Sequence, residues 1–433
     1  MKGTSLPWAA SLPDHWRVAP LKRVCAFHTG WTPPTGDADS YLGDNLWANI
    51  SDLGAPVLYD TTKRLSDEAV RRHGMRVSPA GSLLFSFKLS VGQVSFAGVD
   101  MYTNEAIATF LPGPAIDLRF AYYAFPEMIV RNASENIYGA KMLNQQLINS
   151  AAIVFPPFPE QAAIAAFLDR ETAKIDALVN QQRRLIDLLE EKRQTVISHA
   201  VTKGLDPIAE MKPSGVEWLG DVPGHWQVSR LSRLARDGTT ITYGIVQAGP
   251  DTEGGVPYIR TSDMSGEELP KEGYLRTTPE IDRAYARSRV QPGDVVIAIR
   301  ATIGKPLIVP VELAGANLTR GTAKFSPGSA ILAEYVCHFL RSTGATSEFA
   351  RLAKGATFKE ITLEMLRKFA VPCPPIAEQQ SICSWLEGSR HNLLVRDATR
   401  AIELLQERRA SLITAAVTGK IDLRNFAYER EVA

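Results

Sequence analysis

Cysteine is scarce in this chain: Cys25, Cys337, Cys373 and Cys383 are the only four in 433 residues. None forms a CxxC pair, and no His/Cys spacing resembles a zinc site, so reduced, packed thiols are expected and no metal. Long apolar runs are missing too. No stretch of eighteen or more uncharged apolar residues exists, and Trp8, Asp14, His15 and Trp16 occupy the region where a signal peptide needs an apolar core. The expectation is a cytoplasmic protein. An excess of one charge is also absent, the formal net charge being +1. That excludes gripping nucleic acid by bulk charge alone, and any DNA contact has to be local or shared with partners.

Catalytic signatures are equally sparse. There is no GxxxxGK[ST] phosphate loop, no GxSxG and no HExxH. Pro156-Pro157 with Phe158 faintly resembles the Asn/Asp-Pro-Pro-aromatic signature of amino-methyltransferases. Phe155, however, stands where that chemistry needs a polar side chain to hold the target amino group. Glu190 and Lys192 have a nuclease-like ExK spacing, but they fall on a long helical stretch whose solvated face accounts for them. No cofactor of its own is expected.

What the chain does have is itself, twice. WAASLPDHW at Trp8 is answered by WLGDVPGHW at Trp218, an offset of 210, and WANISD at Trp47 by YIRTSD at Tyr258, an offset of 211. GSLLFSFKLSVGQ from Gly81 is answered by GDVVIAIRATIGK from Gly293 at 212, and the double proline 156–157 by 374–375 at 218. HAVTKGLD at His199 and AAVTGKID at Ala415 complete the series at 216. Five matches in the same order with a drifting offset describe a duplication. The expected division is a first domain at 1–157, a long helix at 158–203, a Gly/Pro-rich linker at 204–222, a second domain at 223–373, a second long helix at 374–420 and a tail at 421–433.

Within each domain the signals are short strands opened by turns, such as LLFSF (Leu83–Phe87) and VVIAI (Val295–Ile299), followed by VSFAGV and PLIVPV. Short helices fit Ile116–Val130 and Ala330–Leu340. The fold class is therefore α+β. In the first long helix the apolar positions Ile164, Leu168, Ile175, Leu178, Leu185, Leu189 and Val196 follow a spacing near 3.5, interrupted by Glu171, Gln182 and Lys192. At 1.5 Å per residue the rod is about 60 Å long and needs a partner for its stripe. The second copy supplies one through Ile382, Leu386, Leu393, Leu394, Leu405 and Leu412. Two residues fewer separate its two blocks, so a distortion near Leu393 or a slight asymmetry between the two helices is expected. Antiparallel pairing within the chain is the economical arrangement, and an intermolecular bundle is the alternative.

The order of a double proline, a Glu-Gln pair and I..LD, the helix ends LLEEKRQTVISHAVTKGLD and LLQERRASLITAAVTGKID, the segment SGVEWLGDVPGHW and the strand-turn GDVVIAIRATIGK together resemble the specificity subunit of type I restriction-modification enzymes. The likeness runs from about Trp8 to Asp422. It implies two target recognition domains, each reading one half of a bipartite, asymmetric double-stranded DNA target. It also implies paired helices that hold the domains apart and dock two methyltransferase subunits, and motor-nuclease subunits that complete the complex. S-adenosylmethionine, ATP and Mg would then serve those partners, and this chain would do no chemistry. In the first domain Gly81-Ser82 replaces Gly293-Asp294, and GAKMLNQQ (139–146) stands where the second has GATFKEIT (355–362).

Two similar domains on a near-symmetric frame suit half-sites about one helical turn, ~34 Å, apart or multiples of it. Arg, Lys, Asn, Ser and Thr are the residues that reach base edges and phosphates. Lys88 and Ser90 in the first copy correspond to Arg300 and Thr302 in the second, each set ahead of a glycine, and either contact DNA or merely end a strand. Asn49 and Ser51 correspond to Arg260 and Thr261. The basic runs holding Arg71, Arg72 and Arg76, and Arg287 and Arg289, either line the duplex or are solvated faces. Tyr243 either reaches a groove or packs. His15-Trp16 and His225-Trp226 read as anchors for the helix ends, and the pairs Glu160-Gln161 and Glu378-Gln379 either as helix caps or as neighbours of the methyltransferase interface that the resemblance implies. Two competing classes are a coiled-coil scaffold without DNA contact and a hydrolase of unfamiliar fold.

Overall fold

The computed structural model describes residues 1–34, 36–135, 141–355, 359–388 and 391–424, without the side chains of 391 and 392. Residues 425–433 of the tail, 139–140 of the 139–146 segment and 356–358 of the 355–362 segment lie outside the described residues. The chain divides into two compact units. One comprises Met1–Arg183 with the chain from Thr399 onward, and the other Arg184–Ala398.

The first unit is built on a five-stranded sheet of β1 (Phe27–Thr29), β2 (Val57–Leu58), β3 (Leu83–Ser86), β4 (Val94–Ala97) and β5 (Ile107–Phe110), in the order β1-β5-β3-β4-β2. Its central strand β3 is buried at every residue, which is why its sequence is a continuous apolar run ending in Ser86. The helix Leu118–Met128 packs Phe120, Tyr123, Ala124 and Phe125 into the same core, and Phe110 meets Phe125 edge-on at 4.8 Å. The second unit repeats the plan with β6 (Thr242–Tyr243), β7 (Val295–Ala298), β8 (Pro306–Ile308) and β9 (Thr322–Phe325), in the order β6-β9-β7-β8. Here the helix Ala333–Leu340 covers the sheet.

Each unit closes on itself before its long helix begins. Arg17–Pro20 pairs antiparallel with Ala152–Phe155, and Gln227–Arg230 pairs with Ala370–Cys373, so the chain arrives and leaves side by side. Immediately after these pairs come the double prolines and then the helices: α1 (Phe158–Lys203) in the first copy, α2 (Ile376–Glu387) and α3 (His391–Val417) in the second.

The Glu-Gln pair explains why this junction is written twice. It does not cap its own helix. Buried Gln161 accepts from Asp117 N–H at 2.8 Å and donates to the carbonyls of Ala115 and Pro156, each at 3.0 Å. Gln379 does the same with Leu332 N–H (2.9 Å), Ala330 O (3.0 Å) and Pro374 O (2.9 Å). Glu160 lies 2.7 Å from His15 Nε2 and accepts from Trp16 Nε1 at 3.1 Å; Glu378 makes the same two contacts with His225 and Trp226 at the same distances. Each helix is thus bolted to the globular part through its first turn. The indoles are fully buried, and the glycine after each helix end, Gly419 and Gly204, fits against Trp16 and Trp226 where a Cβ would lie 3.3 Å and 3.4 Å away.

Within the first unit α1 and α3 run antiparallel: Ile164 and Leu168 share a core with Ala416 and Val417, while farther along Arg409 meets Asp176 at 3.0 Å. In the second unit the last turns of α1, Ile197 to Val201, pack with Ile382 and Leu386 of α2. The pairing is therefore made inside the chain, as expected. Its course along α1 differs from the leucine-based reading at two positions. The inward positions of α1 are Leu168, Thr172, Ile175 and Val179, followed by the half-buried Gln182, Ile186, Leu189 and Arg193, whereas Leu178 and Leu185 are 45% and 43% exposed. Leu393 and Leu394 of α3 are likewise exposed at 45% and 48%. Ile164, Leu168, Ile175, Leu189 and Val196 of the expected stripe do turn inward, while at Leu178 and Leu185 the seam passes one residue, about 100°, away through Val179 and Ile186, and polar residues are tolerated in it. Near the distortion expected at Leu393, α2 is described to Glu387, with Gly388 N–H still bonding Ser384 O at 2.9 Å, and α3 from His391; residues 389–390 lie outside the described residues.

No helix among the described residues is long and apolar enough to cross a membrane.

Candidate nucleic-acid interface

The chain leaves the buried strands β3 and β7 through the same turn. Phe87 N–H bonds Ala106 O at 3.0 Å, and Gly92 N–H returns to Ser86 O at 2.9 Å. In the second unit Ile299 N–H bonds Gly321 O at 2.9 Å and Gly304 N–H returns to Ala298 O at 2.8 Å. Between them stand Lys88-Leu89-Ser90 and Arg300-Ala301-Thr302, all six exposed or nearly so. Leu89 and Ala301 both have φ +58°, and they are the only non-glycine residues with positive φ among the described residues. A left-handed L-residue costs on the order of 1–2 kcal/mol. Keeping that conformation at matched places in two diverged domains, with a leucine 89% exposed in one of them, marks a built tip.

The glycines beyond the tips have another role than close approach to a ligand. A Cβ at Gly304 would lie 2.3 Å from the Phe349 ring, and one at Gly92 would lie 2.9 Å from Val130, so both let the tip lie down on a helix of its own unit. In the first unit Lys88 Nζ is 3.7 Å from Glu105, whose carboxylate also accepts from the Thr32 hydroxyl. Desolvation acts to raise the Glu105 carboxyl, but the Thr32 hydroxyl, its own backbone N–H and the Lys88 charge hold it below the usual range, and it stays ionised. In the second unit Arg300 pairs with Glu360 at 2.5 Å and shares an open hollow with Tyr243, Arg320 and Thr362. Tyr243 is half-buried at its rim.

The remaining sequence candidates disperse. Asn49 Oδ1 accepts from both the N–H and the hydroxyl of Ser51 at 2.7 Å, and Asp52 completes the capping box of a short 3-10 turn. Arg260 is clamped by Asp263 through bonds of 3.1 and 2.7 Å in the matching turn, and Thr261 is half-buried against Gly321. These four hold local structure. Arg71 and Arg72 are exposed in the last turn of the helix Asp67–Arg72, with Arg76 exposed just beyond it, and Arg287 is exposed on a 3-10 turn. Arg289 is bound to the buried Asp282, which also accepts from Asn317 at 2.8 Å, so its guanidinium serves the fold. Sequence reasoning missed Glu105, Arg320 and Glu360. Glu105 and Arg320 correspond at an offset of 215, inside the drift from 212 to 218 already visible in the repeat.

Nothing else among the described residues assembles into reactive chemistry. No group of His, Cys, Asp or Glu there could hold a metal ion. Burial pushes the thiols of Cys25, Cys337 and Cys383 up to about 12 and that of Cys373 to about 11, well away from a reactive thiolate.

The family described as the type I restriction modification DNA specificity domain matches residues 13–187 and again 223–389. The EcoBI specificity subunit of Escherichia coli is 26% identical over 311 residues, covering 70% of this chain and 65% of that protein. The MjaIX specificity subunit of Methanocaldococcus jannaschii is 23% identical over 232 residues, about half of each chain (52% and 52%). The EcoKI specificity subunit of E. coli K12 is 21% identical over 449 aligned positions, 95% of this chain and 90% of that one. Among solved structures, a chain from a study of complex assembly and conformational transition of the type I R-M system superposes with a TM-score of 0.70 at 18% identity, over 95% of this chain and all of that one. The HsdS subunit of Thermoanaerobacter tengcongensis superposes at 0.51 with 17% identity, over 95% of this chain and 98% of that one. With its two matched halves, its paired helices and its twice-built tip, the chain belongs to the type I restriction-modification DNA specificity family.

Proposed function

We propose that this chain is the DNA-reading subunit of a cytoplasmic type I restriction-modification complex, each unit recognising one half of a bipartite, asymmetric duplex target. The observation that carries this reading is the tip made twice, Lys88-Leu89-Ser90 and Arg300-Ala301-Thr302, on a common scaffold with different side chains. A cation and a hydroxyl on a strained, exposed turn suit phosphate and base-edge contacts, and unlike tips suit unlike half-sites. Leu178 and Leu404 in the first unit, and Leu185 and Leu188 in the second, are apolar residues of the long helices left 43–53% exposed, and they support docking of methyltransferase subunits there. Methyl transfer, with S-adenosylmethionine, would be the work of those partners, and cleavage, with ATP and Mg, that of motor-nuclease subunits. This chain contributes recognition and no catalytic group.

The test is exchange of residues 20–155 for the corresponding segment of another family member, followed by mapping of methylated motifs in cells that carry the partner subunits. One half of the motif is expected to change while the other persists. A change in both halves, or in neither, overturns the reading. Absence of salt-dependent duplex binding by the assembled complex would instead favour a scaffold that never touches DNA.

A further inference from the structure

Glu105 and Arg320 occupy one structural position with opposite charges. Each directly precedes the residue whose carbonyl receives the N–H at the base of the tip, Ala106 for Phe87 and Gly321 for Ile299. Each also comes just after a two-residue strand in parallel pairing, Tyr102–Thr103 with Trp47–Ala48 and Asn317–Leu318 with Tyr258–Ile259. Both side chains are exposed beside the tip cation. In the first unit the result is a Lys88–Glu105 pair without net charge; in the second Arg320 adds a cation to the Arg300–Glu360 pair.

A carboxylate at a DNA-facing tip works against affinity. It repels phosphates and offsets the charge of Lys88 beside it. Such a group is an asset there only if it meets a hydrogen-bond donor on a base. In the major groove, cytosine offers its N4 amino donor with no acceptor on that base beside it, whereas adenine sets the N7 acceptor next to its N6 amino group. A carboxylate, which only accepts, is therefore matched by cytosine. Guanine offers two acceptors, O6 and N7, which match the paired donors of a guanidinium.

We propose that Glu105 and Arg320 are the residues by which the two units read different base pairs, Glu105 accepting from a cytosine amino group and Arg320 donating to a guanine. The proposal rests on the DNA-reading function above and assigns part of its specificity to one position. Thr32 and Lys88 are the positioning residues that hold Glu105 at the tip.

The experiment selects duplexes with randomised half-sites on the full chain assembled with its methyltransferase subunits, at several salt concentrations, for the parent protein and for Glu105→Ala, Glu105→Gln and Arg320→Ala. Glu105→Ala is expected to relax selection at one base pair of the first half-site by about ten-fold to a hundred-fold and to leave the second half-site as it was. Glu105→Gln, nearly the same shape, is expected to move that base pair from C·G toward A·T, because an amide both donates and accepts. Arg320→Ala is expected to relax one G·C pair of the second half-site only. If Glu105→Ala instead tightens binding to every duplex, steepens the salt dependence and leaves the selected motif intact, Glu105 merely neutralises Lys88 and the assignment is overturned. A successful exchange of residues 20–155 combined with unmoved motifs in all three variants would sink this assignment alone. Failure of the exchange itself would sink the reading it rests on.

Discussion

Gln161→Ala is expected to destabilise the first unit by about 3–5 kcal/mol, an effect far beyond that of most single substitutions. The side chain is fully buried and satisfies three backbone groups: the Asp117 N–H that opens the helix Leu118–Met128, and the carbonyls of Ala115 and Pro156. Removing it strands one buried donor and two buried acceptors, each costing on the order of 1–3 kcal/mol, and leaves a cavity that water can only partly repair. Gln161→Leu should be no better, because filling the space does not satisfy the polar groups. Gln379→Ala is expected to do the same to the second unit, through Leu332 N–H and the carbonyls of Ala330 and Pro374. Urea unfolding followed by tryptophan fluorescence reads both, with Trp16 in the first core and Trp226 in the second. A loss below about 1 kcal/mol in Gln161→Ala would mean that the junction is not held by this side chain.

Acidification is expected to weaken the second unit through His338. Burial, followed by the nearby charges of Arg341 and Arg193, lowers its pKa from the ordinary 6.5 to about 4, and its Nδ1 has no hydrogen-bond partner among the described residues. The hollow beside it also contains Glu190, Glu267 and Lys305, so carboxylates and cations both face the ring. The neutral ring is the folded form. Above pH 6.5 neither state is protonated and His338 has no pH-dependent effect. Between 6.5 and about 4 the unfolded chain binds a proton that the folded unit refuses, and stability falls as pH falls. At about 1.4 kcal/mol per pH unit the loss approaches ~3 kcal/mol at the acid end. His338→Gln, neutral throughout, should remove this component. Unfolding free energies of parent and variant, compared from pH 7.5 to 4, should diverge steadily below 6.5, and parallel curves would exclude the effect.

The repeat was open to direct reading because it is written in local signals. The double prolines, the Glu-Gln pairs and the His-Trp pairs stand at matching places, and the strands at Leu83 and Val295 announce themselves as apolar runs after turns. The purpose of the Glu-Gln pair was hidden, because its partners lie upstream, 44 to 49 residues back for the glutamines and 144 to 153 back for the glutamates, or across a tight proline turn. A short-range reading saw a helix cap where the fold has a bolt. The helix seam departs from its expected course at two positions for a related reason. Periodicity says that a stripe exists, but only the partner surface chooses between Leu178 and Val179, or between Leu185 and Ile186.

The candidate site divides along the same line. Lys88, Ser90, Arg300 and Thr302 were legible from their position after a buried strand, and Tyr243 does come to share a hollow with Arg300. Arg289 looked like part of a basic run, yet it is tied to a carboxylate seven residues earlier. Asn49 and Arg260, candidates for DNA contact by their matching places, make hydrogen bonds within their own turns, which sequence alone did not show.

By itself, then, the order of residues determined that there are two copies of one domain, that each copy opens a long helix through the same proline-led junction, and that the two domains differ where they turn out of their central strands. Those properties depend on neighbours in the chain and on period, which sequence records directly. Tertiary structure decided which face of each helix turns inward, the left-handed conformation of Leu89 and Ala301, and the meeting of Lys88 with Glu105. Each of these requires surfaces from distant segments to be packed together before it is defined, and the physical cause is the same in every case: the backbone allows several local solutions, and only the assembled core selects one.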